Sequence, residues 1–412
     1  MPAPSTIAIV GASLTGASAA ATLREEGFDG RVVLLGAEPQ LPYDRPPLSK
    51  AYLRGATPFE KTLLRPAEFY REKEIELRLS TTVTRVDAEK KWLELAGGER
   101  LDFDSVLVAT GGRNRRFPIP GLDLPGVYDL RTVADADRIR EVIAPGRRAV
   151  VVGLGFIGAE VAGSLRECGV EVVAIEPFKT PLFRALGEEI GRVVEGLHRD
   201  HGVDMILGDA VAAFEGSGRV ERVVTTSGRR VECDFAVFGL GIEPAAEVVA
   251  GSGVRVDNGI VVDELCRTNV PGVFAAGDVA NHYHPVCARP MRVEHWQNGV
   301  KQGAAAARSM LGRGQPYDEV HWFWSDQYDA NIQYAGFHAP WDQVVVRGSL
   351  AERKFLAFFL TAGRVESAVA INQGRDLRRA FSLIRARLPV DPARLADPQV
   401  DLRTLVPAEK TA

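Results

Sequence analysis

Residues 153–158 read GLGFIG, between the apolar run AVVV and the segment AEVAGSLRECGVEVVAIE. Gly153, Gly155 and Gly158 have the spacing of a dinucleotide-binding loop that joins a buried strand to a helix. In such a loop the first glycine permits the turn, the second lets the backbone approach a pyrophosphate, and the third lets helix and strand pack closely. The N–H groups at the helix start then face the phosphates. The stretch therefore predicts a βαβ unit that binds a dinucleotide.

An acidic residue completes this pattern. Glu176 ends the second predicted strand, where a carboxylate accepts hydrogen bonds from an adenosine ribose. The same carboxylate repels the 2′-phosphate of NADPH, and Lys179 is the one cation among the next four residues. NADH is therefore the predicted donor, and Arg184 is the residue that could weaken this preference.

A less complete copy of the pattern, IAIVGASLTGASAAATLREEGFDGRVVLL, lies near the start of the chain. Gly11 and Gly16 are retained, Ser13 replaces the middle glycine, and Gly36 occupies the acidic position. Serine is small enough to leave phosphate approach open, and Glu38 is the nearest carboxylate for the ribose. Two such loops predict two bound dinucleotides.

Composition indicates a large enzyme rather than a small binding module. The 412 residues suggest two or three domains, 46% of them are hydrophobic, and the net charge of −4 does not favour nucleic-acid binding. No apolar run has the length of a membrane span, and the segment before the first strand is too short for a signal peptide. We therefore expect a cytoplasmic protein with no membrane or nucleic-acid partner.

Cysteine and histidine spacings favour neither a dithiol centre nor a metal site. The four cysteines are scattered without a CxxC pair. HRDH at 198–201 is interpreted as a polar helix face, and HYHPVC at 282–287 has no partner pair at zinc spacing. We expect no bound metal.

Three domains are expected along the chain. A strand at 106–109 runs into ATGG and then into the basic, proline-rich segment RNRRFPIPG, which is interpreted as a linker. The strand in TNVPGVFAAGDVA is assigned back to the first domain, and alternating patterns beyond residue 321 indicate an antiparallel sheet with a closing helix. The predicted boundaries are 1–115 with 243–320, then 116–242, then 321–412.

The order of these motifs resembles that of flavoproteins with two dinucleotide folds. PYDRPPLSKAYL at 42–53, RVEHWQNGVKQG at 292–303 and WFWSDQY at 322–328 resemble, more specifically, the FAD-containing, NADH-dependent ferredoxin reductases that serve bacterial oxygenases. The resemblance covers essentially the whole chain. It implies an α/β protein with two Rossmann-like, glutathione-reductase-like domains and a small C-terminal α+β domain with an antiparallel sheet.

The resemblance also implies roles for individual residues. Arg45 is expected at the FAD pyrophosphate, and Lys50 at the N5 and O4 edge of the flavin, where a cation favours the reduced anionic form. Glu160 is expected to pair with Lys50 where the nicotinamide stacks, although a carboxylate on the first helical turn could simply favour the helix dipole. The remaining expected cofactor contacts are Leu14, Thr15, Val83, Ala109, Thr110, Gly111, Phe156, Ile157 and Gly241.

Three further positions have competing interpretations. Asp278 is expected to bind the FAD ribityl chain, but it could also cap a helix at VANHY. Trp296 and Trp324 are candidates for the flavin environment, although tryptophans usually belong to the core.

The resemblance implies that the protein accepts a hydride and then releases the two electrons one at a time. Related disulfide reductases place a cysteine pair beside the flavin, but the segment 42–53 contains none, so electrons are expected to leave directly towards an iron–sulfur ferredoxin. The alternatives are a rubredoxin reductase, an NADH oxidase, or a non-catalytic NADH-sensing flavoprotein.

A basic segment near the C-terminus is a candidate docking surface. Six arginines fall between residues 375 and 394, against two aspartates. A helix there would place Leu377, Phe381, Ile384 and Leu388 on one face, which is expected to pack on the sheet. Such a charged face is ordinarily just solvated, but ferredoxins of these systems are generally acidic and would be steered by it. The predicted docking residues are Arg375, Arg378 and Arg379.

Overall fold

The computed structural model describes residues 5–406. The first part of the chain forms β1 (Thr6–Val10), α1 (Leu14–Glu25), β2 (Arg31–Leu35), α2 (Ala67–Glu72), β3 (Ile75–Arg78), β4 (Val83–Asp87), β5 (Trp92–Leu95), β6 (Arg100–Asp102), β7 (Ser105–Val108) and β8 (Gly112–Asn114). The second part forms β9 (Val127–Asp129), α3 (Val133–Arg140), β10 (Arg148–Val152), α4 (Phe156–Glu167), β11 (Glu171–Glu176), α5 (Phe183–Asp200), β12 (Val203–Leu207), β13 (Val211–Glu215), β14 (Arg222–Thr225), β15 (Arg230–Glu232), β16 (Phe235–Phe238) and β17 (Ile242–Pro244).

The remaining elements complete the chain. They are β18 (Ile260–Val262), β19 (Val273–Ala275), β20 (Ala280–His284), β21 (Arg289–Arg292), α6 (Trp296–Met310), β22 (Trp322–Gln327), β23 (Ala330–Gly336), β24 (Gln343–Ser349), β25 (Lys354–Thr361), β26 (Arg364–Ile371), α7 (Gly374–Ala386) and α8 (Pro392–Ala396). Short 3₁₀ turns lie at Pro46–Ser49, Phe59–Thr62, Glu247–Val249, Gly277–Val279 and Leu402–Leu405. No helix among residues 5–406 is both long enough and apolar enough to cross a membrane.

These elements form two compact units. The first unit contains the residues up to Asp44, Phe59–Arg113 and Ile242–His321. The second contains Arg45–Pro58, Asn114–Gly241 and the residues from Trp322 onward. The three domain boundaries drawn from the sequence stay a prediction, and their outermost residues, 1–4 and 407–412, lie outside the described part of the chain.

A parallel sheet forms the centre of the first unit. Its strand order is β19-β7-β1-β2-β3. Ile7 and Ile9 of β1 enter one apolar cluster while Ala8 and Val10 enter another, so both sheet faces are buried. The pairing of β19 with β7 confirms that the strand in TNVPGVFAAGDVA returns to the first dinucleotide fold.

A second parallel sheet, ordered β12-β11-β10-β16-β9, lies in the second unit. The connection from β10 to α4 follows the glycine pattern, since α4 starts directly after the loop and the next strand, β11, ends at Glu176. Helix α3 is fixed locally by a capping box, in which Thr132 and Asp135 each satisfy the other's backbone N–H.

The C-terminal part of the second unit contains the expected antiparallel sheet, ordered β22-β23-β26-β25-β24. Strands β25 and β26 turn at Ala362 and Gly363, which both have positive φ angles of 49° and 73°. Side chains of α5 pack with β23, β25 and β26 in one apolar cluster.

Helix α7 differs in part from its prediction. Leu377 and Ile384 are fully buried as expected, together with Ala380 and Leu383. The helix ends at Ala386, however, so Leu388 lies beyond it and is 44% exposed. The cause is local, because the next residue, Arg387, adopts a left-handed conformation that stops the helix.

Candidate active site

The second-unit glycine loop has the geometry of a phosphate cradle. Gly153 has a φ of 86°, and a Cβ on Gly158 would lie 1.9 Å from the Gly153 carbonyl oxygen, so neither position accepts a side chain. A Cβ on Gly155 would meet nothing within 4 Å, which leaves its backbone open to a ligand. On the first turn of α4, the apolar side chain of Ile157 is 48% exposed, and Phe156 contacts Phe323 edge-to-face at 4.7 Å.

Glu176 is oriented towards this loop. Its carboxylate accepts hydrogen bonds from the backbone N–H groups of Leu154, at 2.5 Å, and Phe178, at 3.1 Å. Burial raises the pKa of Glu176, while the two backbone hydrogen bonds oppose that rise. The Arg184 guanidinium lies 4.9 Å from the centre of the Phe178 ring and is close enough to act electrostatically on Glu176. The carboxylate therefore shapes the loop in addition to any contact with a ribose.

The predicted Lys50–Glu160 ion pair is present. Lys50 Nζ lies 2.7 Å from Glu160 Oε2, and the two side chains are 14% and 3% exposed. Ser49 Oγ donates to the same oxygen at 2.5 Å, and Ser325 Oγ donates to Oε1 at 2.6 Å. Two hydroxyls and an ammonium group thus all donate to one buried carboxylate.

A hydrogen-bond chain leads away from Glu160 through the second unit. Ser325 accepts from Gln327 Nε2 at 3.1 Å, and Gln327 Oε1 lies 2.9 Å from His198 Nε2. The amide oxygen only accepts, so His198 Nε2 carries the proton and Nδ1 accepts from the Tyr328 hydroxyl at 3.2 Å. Burial lowers the pKa of His198 to about 4.

The first-unit loop forms a similar cradle. Gly11 has a φ of 117°, and a Cβ there would lie 2.2 Å from the Ala109 carbonyl oxygen. Ser13 occupies the N-cap position of α1 but its side chain makes no capping hydrogen bond, so the hydroxyl does not close the helix end. Leu14, Thr15 and Gly16 form the first turn of the helix.

The turn that contains Gly277 and Asp278 lies beside this loop in the first unit. A Cβ on Gly277 would lie 2.4 Å from Thr15 Oγ1, so the turn holding Gly277 and Asp278 packs against the start of α1. Gln302 Oε1 accepts from the Gly277 backbone N–H at 2.8 Å. The alternative interpretation of Asp278 as a helix cap is wrong, because the following residues form strand β20 and not a helix.

Several of the remaining predicted residues lie in the first unit. Glu38 Oε2 accepts a hydrogen bond from the Tyr43 hydroxyl at 2.5 Å, and Val83 begins β4. Thr110 Oγ1 donates to the Ala245 carbonyl at 2.6 Å. Gly111, next to Thr110, accepts from the Ala245 backbone N–H at 3.0 Å. In the second unit, Arg45 donates to the Arg131 carbonyl at 2.5 Å, and Gly241 accepts from the Arg115 backbone N–H at 3.0 Å.

The two tryptophans have polar or stacked neighbours. Trp296, at the start of α6, donates from Nε1 to Asp44 Oδ1 at 2.7 Å, and burial raises the pKa of that carboxyl. Trp324 of β22 stacks on Trp322 with ring centres 5.5 Å apart. Both tryptophans are only half-buried, so neither belongs to the fully buried core.

The histidine interpretations need correction. His198 is not on a polar face, because it is fully buried and hydrogen-bonded as described above. The local sequence spacing also indicated no further metal ligand near His282 and His284, but folding brings His321 beside them.

Comparison with known proteins places these features in a family. A model described as "Pyridine nucleotide-disulphide oxidoreductase" matches residues 5–303, and one described as "Reductase C-terminal" matches residues 322–406. This chain belongs to the pyridine nucleotide-disulphide oxidoreductase family. Membership confirms the predicted resemblance and the two-dinucleotide fold.

Members of this family with similar sequences span the whole chain. Rhodocoxin reductase of Rhodococcus erythropolis is 38% identical over 405 residues, covering 98% of this chain and 95% of that protein. The ferredoxin–NAD(+) reductase component of an anthranilate 1,2-dioxygenase system from Burkholderia cepacia is 40% identical over 400 residues, covering 97% and 98%. A crystal structure of a covalent putidaredoxin reductase–putidaredoxin complex matches with a TM-score of 0.94 and 34% identity, covering 100% of both chains.

The residues fit the two dinucleotides of this oxidoreductase family, FAD and NAD(H). Each glycine loop excludes side chains at its turn and leads into a helix N-terminus, and Gly155 leaves open space at the position where the pyrophosphate is expected. The predicted contacts of individual residues with each cofactor stay predictions.

Sequence reasoning missed two residues of the Glu160 site. Ser49 precedes Lys50 in the quoted segment PYDRPPLSK, and Ser325 is the serine of FWSDQ. The one feature of the sequence that could have indicated them is that both serines lie in the two most specific motifs. Nothing in the local sequence around either serine shows that both would contact Glu160.

Proposed function

We propose that this chain is an FAD-containing, NADH-dependent ferredoxin reductase that accepts a hydride from NADH and passes electrons singly to an iron–sulfur ferredoxin serving a bacterial oxygenase. The whole-length similarity to reductase components of oxygenase systems supports this function. A cytoplasmic location stays a prediction.

The observation that carries the proposal is the buried Lys50–Glu160 pair in a segment without cysteine. Bound FAD supplies the exchange between two-electron and one-electron transfer. Related disulfide reductases are expected to have a cysteine pair beside the flavin, whereas segment 42–53 of this chain has no cysteine and contributes the charge-paired Lys50. Cys233 and Cys266 are no substitute, because burial raises the pKa of each thiol to about 12 and keeps it protonated at neutral pH.

We further propose that Arg375, Arg378 and Arg379 of α7 contribute to ferredoxin docking. All three are exposed on the helix side opposite Leu377 and Ile384. Arg379 is partly neutralised by Asp376 at 2.9 Å, and Arg387 is bound to Glu366 through two hydrogen bonds of 2.8 Å. The charge that faces solvent is therefore concentrated at the first half of the helix.

The decisive experiment is reconstitution. Purified protein is mixed with NADH and each ferredoxin from the same genome, and cluster reduction is followed by its absorbance change. At least one ferredoxin is expected to be reduced far faster than oxygen is consumed.

Other outcomes identify the alternatives. Rapid transfer to rubredoxin or to oxygen, with slow transfer to each ferredoxin, would indicate a rubredoxin reductase or an NADH oxidase. Slow reoxidation by all these acceptors would instead support an NADH-sensing flavoprotein.

A further inference from the structure

Three buried histidines meet in the first unit. His282 and His284 lie two residues apart on β20 and so project to the same side of the strand, and His321 comes from the segment that follows α6. Their side chains are 0%, 0% and 2% exposed, and one ring nitrogen of each lies within 4.8 Å of the others. The ring centres are 5.2 to 5.6 Å apart.

The tautomer of His284 suits metal binding. His284 Nε2 lies 3.0 Å from the Glu319 carbonyl oxygen, which only accepts, so Nε2 carries the proton and Nδ1 presents a lone pair.

Burial of these rings without a ligand carries a cost. Among residues 5–406, neither ring nitrogen of His282 makes a hydrogen bond of good geometry, although the backbone of Met291 lies close enough to interact with the ring. A buried polar atom without a partner destabilises a fold by about 1–3 kcal/mol. A cation bound to the lone pair of His282 satisfies one of the two ring nitrogens and so reduces this cost.

We propose that His282, His284 and His321 bind one Zn²⁺ ion. Neutral imidazoles suit borderline first-row cations, and Zn–N bonds of 2.0–2.1 Å place tetrahedral ligands about 3.3 Å apart. The ring nitrogens, which lie within 4.8 Å of one another, would move closer together on binding the ion. His295, whose ring centre lies 6.1 Å from that of His321, is the candidate fourth ligand.

With His295 as the fourth ligand the coordination shell would be closed by protein side chains, as in structural rather than catalytic zinc sites. Since His282 lies four residues beyond Asp278 in the sequence, bound zinc would also stiffen the segment that holds Asp278. The proposal does not depend on the electron acceptor of the protein.

The test uses the tag-free, FAD-loaded protein. After dialysis against a chelator and then a buffer with Zn²⁺, elemental analysis is expected to find about one zinc per chain, and calorimetry to give the affinity. His282→Asn is expected to weaken Zn²⁺ binding by about 100-fold or more. His338→Asn, which changes an exposed histidine, is the matched control and should bind as the wild type does.

A second measurement covers the case in which His282→Asn does not fold. X-ray absorption at the zinc edge of the wild-type protein is expected to show at least three imidazole ligands. Substoichiometric zinc, a ligand shell made of oxygen alone, or equal binding by folded His282→Asn would overturn the proposal.

Discussion

At the scale of single residues, Glu160 is the most constrained group of the candidate site. Its carboxylate receives donors from the neighbours Ser49 and Lys50 and from Ser325, which lies far from both in the sequence. Removing a carboxylate from such a site leaves the largely buried ammonium group of Lys50 without its counter-charge. A substitution of Glu160 should therefore affect flavin reduction near Lys50 more than it affects NADH binding at the glycine loop.

We predict that Glu160→Ala slows flavin reduction by NADH at least about tenfold, equivalent to about 1.4 kcal/mol, while NADH affinity changes much less. Stopped-flow absorbance at saturating NADH measures the rate. Glu167→Ala is the control, since this residue lies on the same helix, is 38% exposed and pairs with Arg54. An unchanged rate in Glu160→Ala would remove this residue from the active site.

A second prediction at the scale of residues concerns Glu176 and the preference for NADH over NADPH. We predict that the wild type has at least about tenfold higher kcat/KM for NADH, since a carboxylate disfavours the 2′-phosphate. Glu176→Ala should lose both this preference and catalytic efficiency with NADH, because the loop contacts to Leu154 and Phe178 are lost as well. Equal or higher specificity of the wild type for NADPH contradicts the assignment.

Arg184 provides a comparison at the same site. Its guanidinium stacks on Phe178 near Glu176, so it is positioned to attract a 2′-phosphate. Arg184→Ala should lower the residual kcat/KM for NADPH more than that for NADH, measured in the same steady-state assay.

At the scale of elements, α7 combines a buried apolar face with an exposed basic one. Leu377 and Ile384 hold the helix on the protein, so charge reversal on the other face should leave the fold intact. Electrostatic steering acts mainly on the association rate and weakens as salt increases.

We predict that Arg375→Glu with Arg378→Glu raises the KM for ferredoxin about tenfold and leaves NADH reduction of a small artificial acceptor unchanged. Arg379→Glu should have a smaller effect, because Asp376 already neutralises part of its charge. The matched control is Arg229→Glu with Arg230→Glu, two exposed arginines of the same unit near β15.

Salt provides an independent check on this element. Wild-type turnover with ferredoxin should fall between about 50 and about 300 mM added salt, because the Debye length shortens as the ionic strength rises. If neither the substitutions nor salt changes ferredoxin kinetics, α7 is an ordinary solvated helix face.

At the scale of the whole molecule, buried histidine makes stability depend on pH. His198 is neutral in the folded protein, with its pKa lowered to about 4 by burial, but titrates near 6.5 when unfolded. The unfolded chain therefore binds more protons between these values, and stability present above about pH 6.5 is lost as pH falls towards 4. The full effect is on the order of 3 kcal/mol.

We predict that the urea midpoint of the wild type falls as pH decreases from about 7.5 to about 4.5. Circular dichroism measures the midpoint. In His198→Gln the decrease should be smaller, whereas His338→Gln, at an exposed position, should behave as the wild type. Identical pH dependence in all three proteins would show that His198 does not contribute.

The sequence by itself determined the dinucleotide folds, because their signals are local. Glycine spacing, apolar strands and the strand-end position of Glu176 all act within one βαβ unit, and the structure has β10, α4 and β11 at the predicted places. The turn at Ala362 and Gly363 was predictable for the same reason, since it lies between two apolar strands that pair directly.

Only the tertiary structure decided which distant side chains share a site. Ser49, Glu160 and Ser325 meet because the 3₁₀ turn at Pro46–Ser49, α4 and β22 pack together in the second unit, and no periodicity within any of them encodes that meeting. His321 likewise joins His282 through packing and not through spacing. Local patterns fix backbone conformation over a few residues, but burial, hydrogen-bond partners and the state of a titratable group depend on the neighbours that folding supplies.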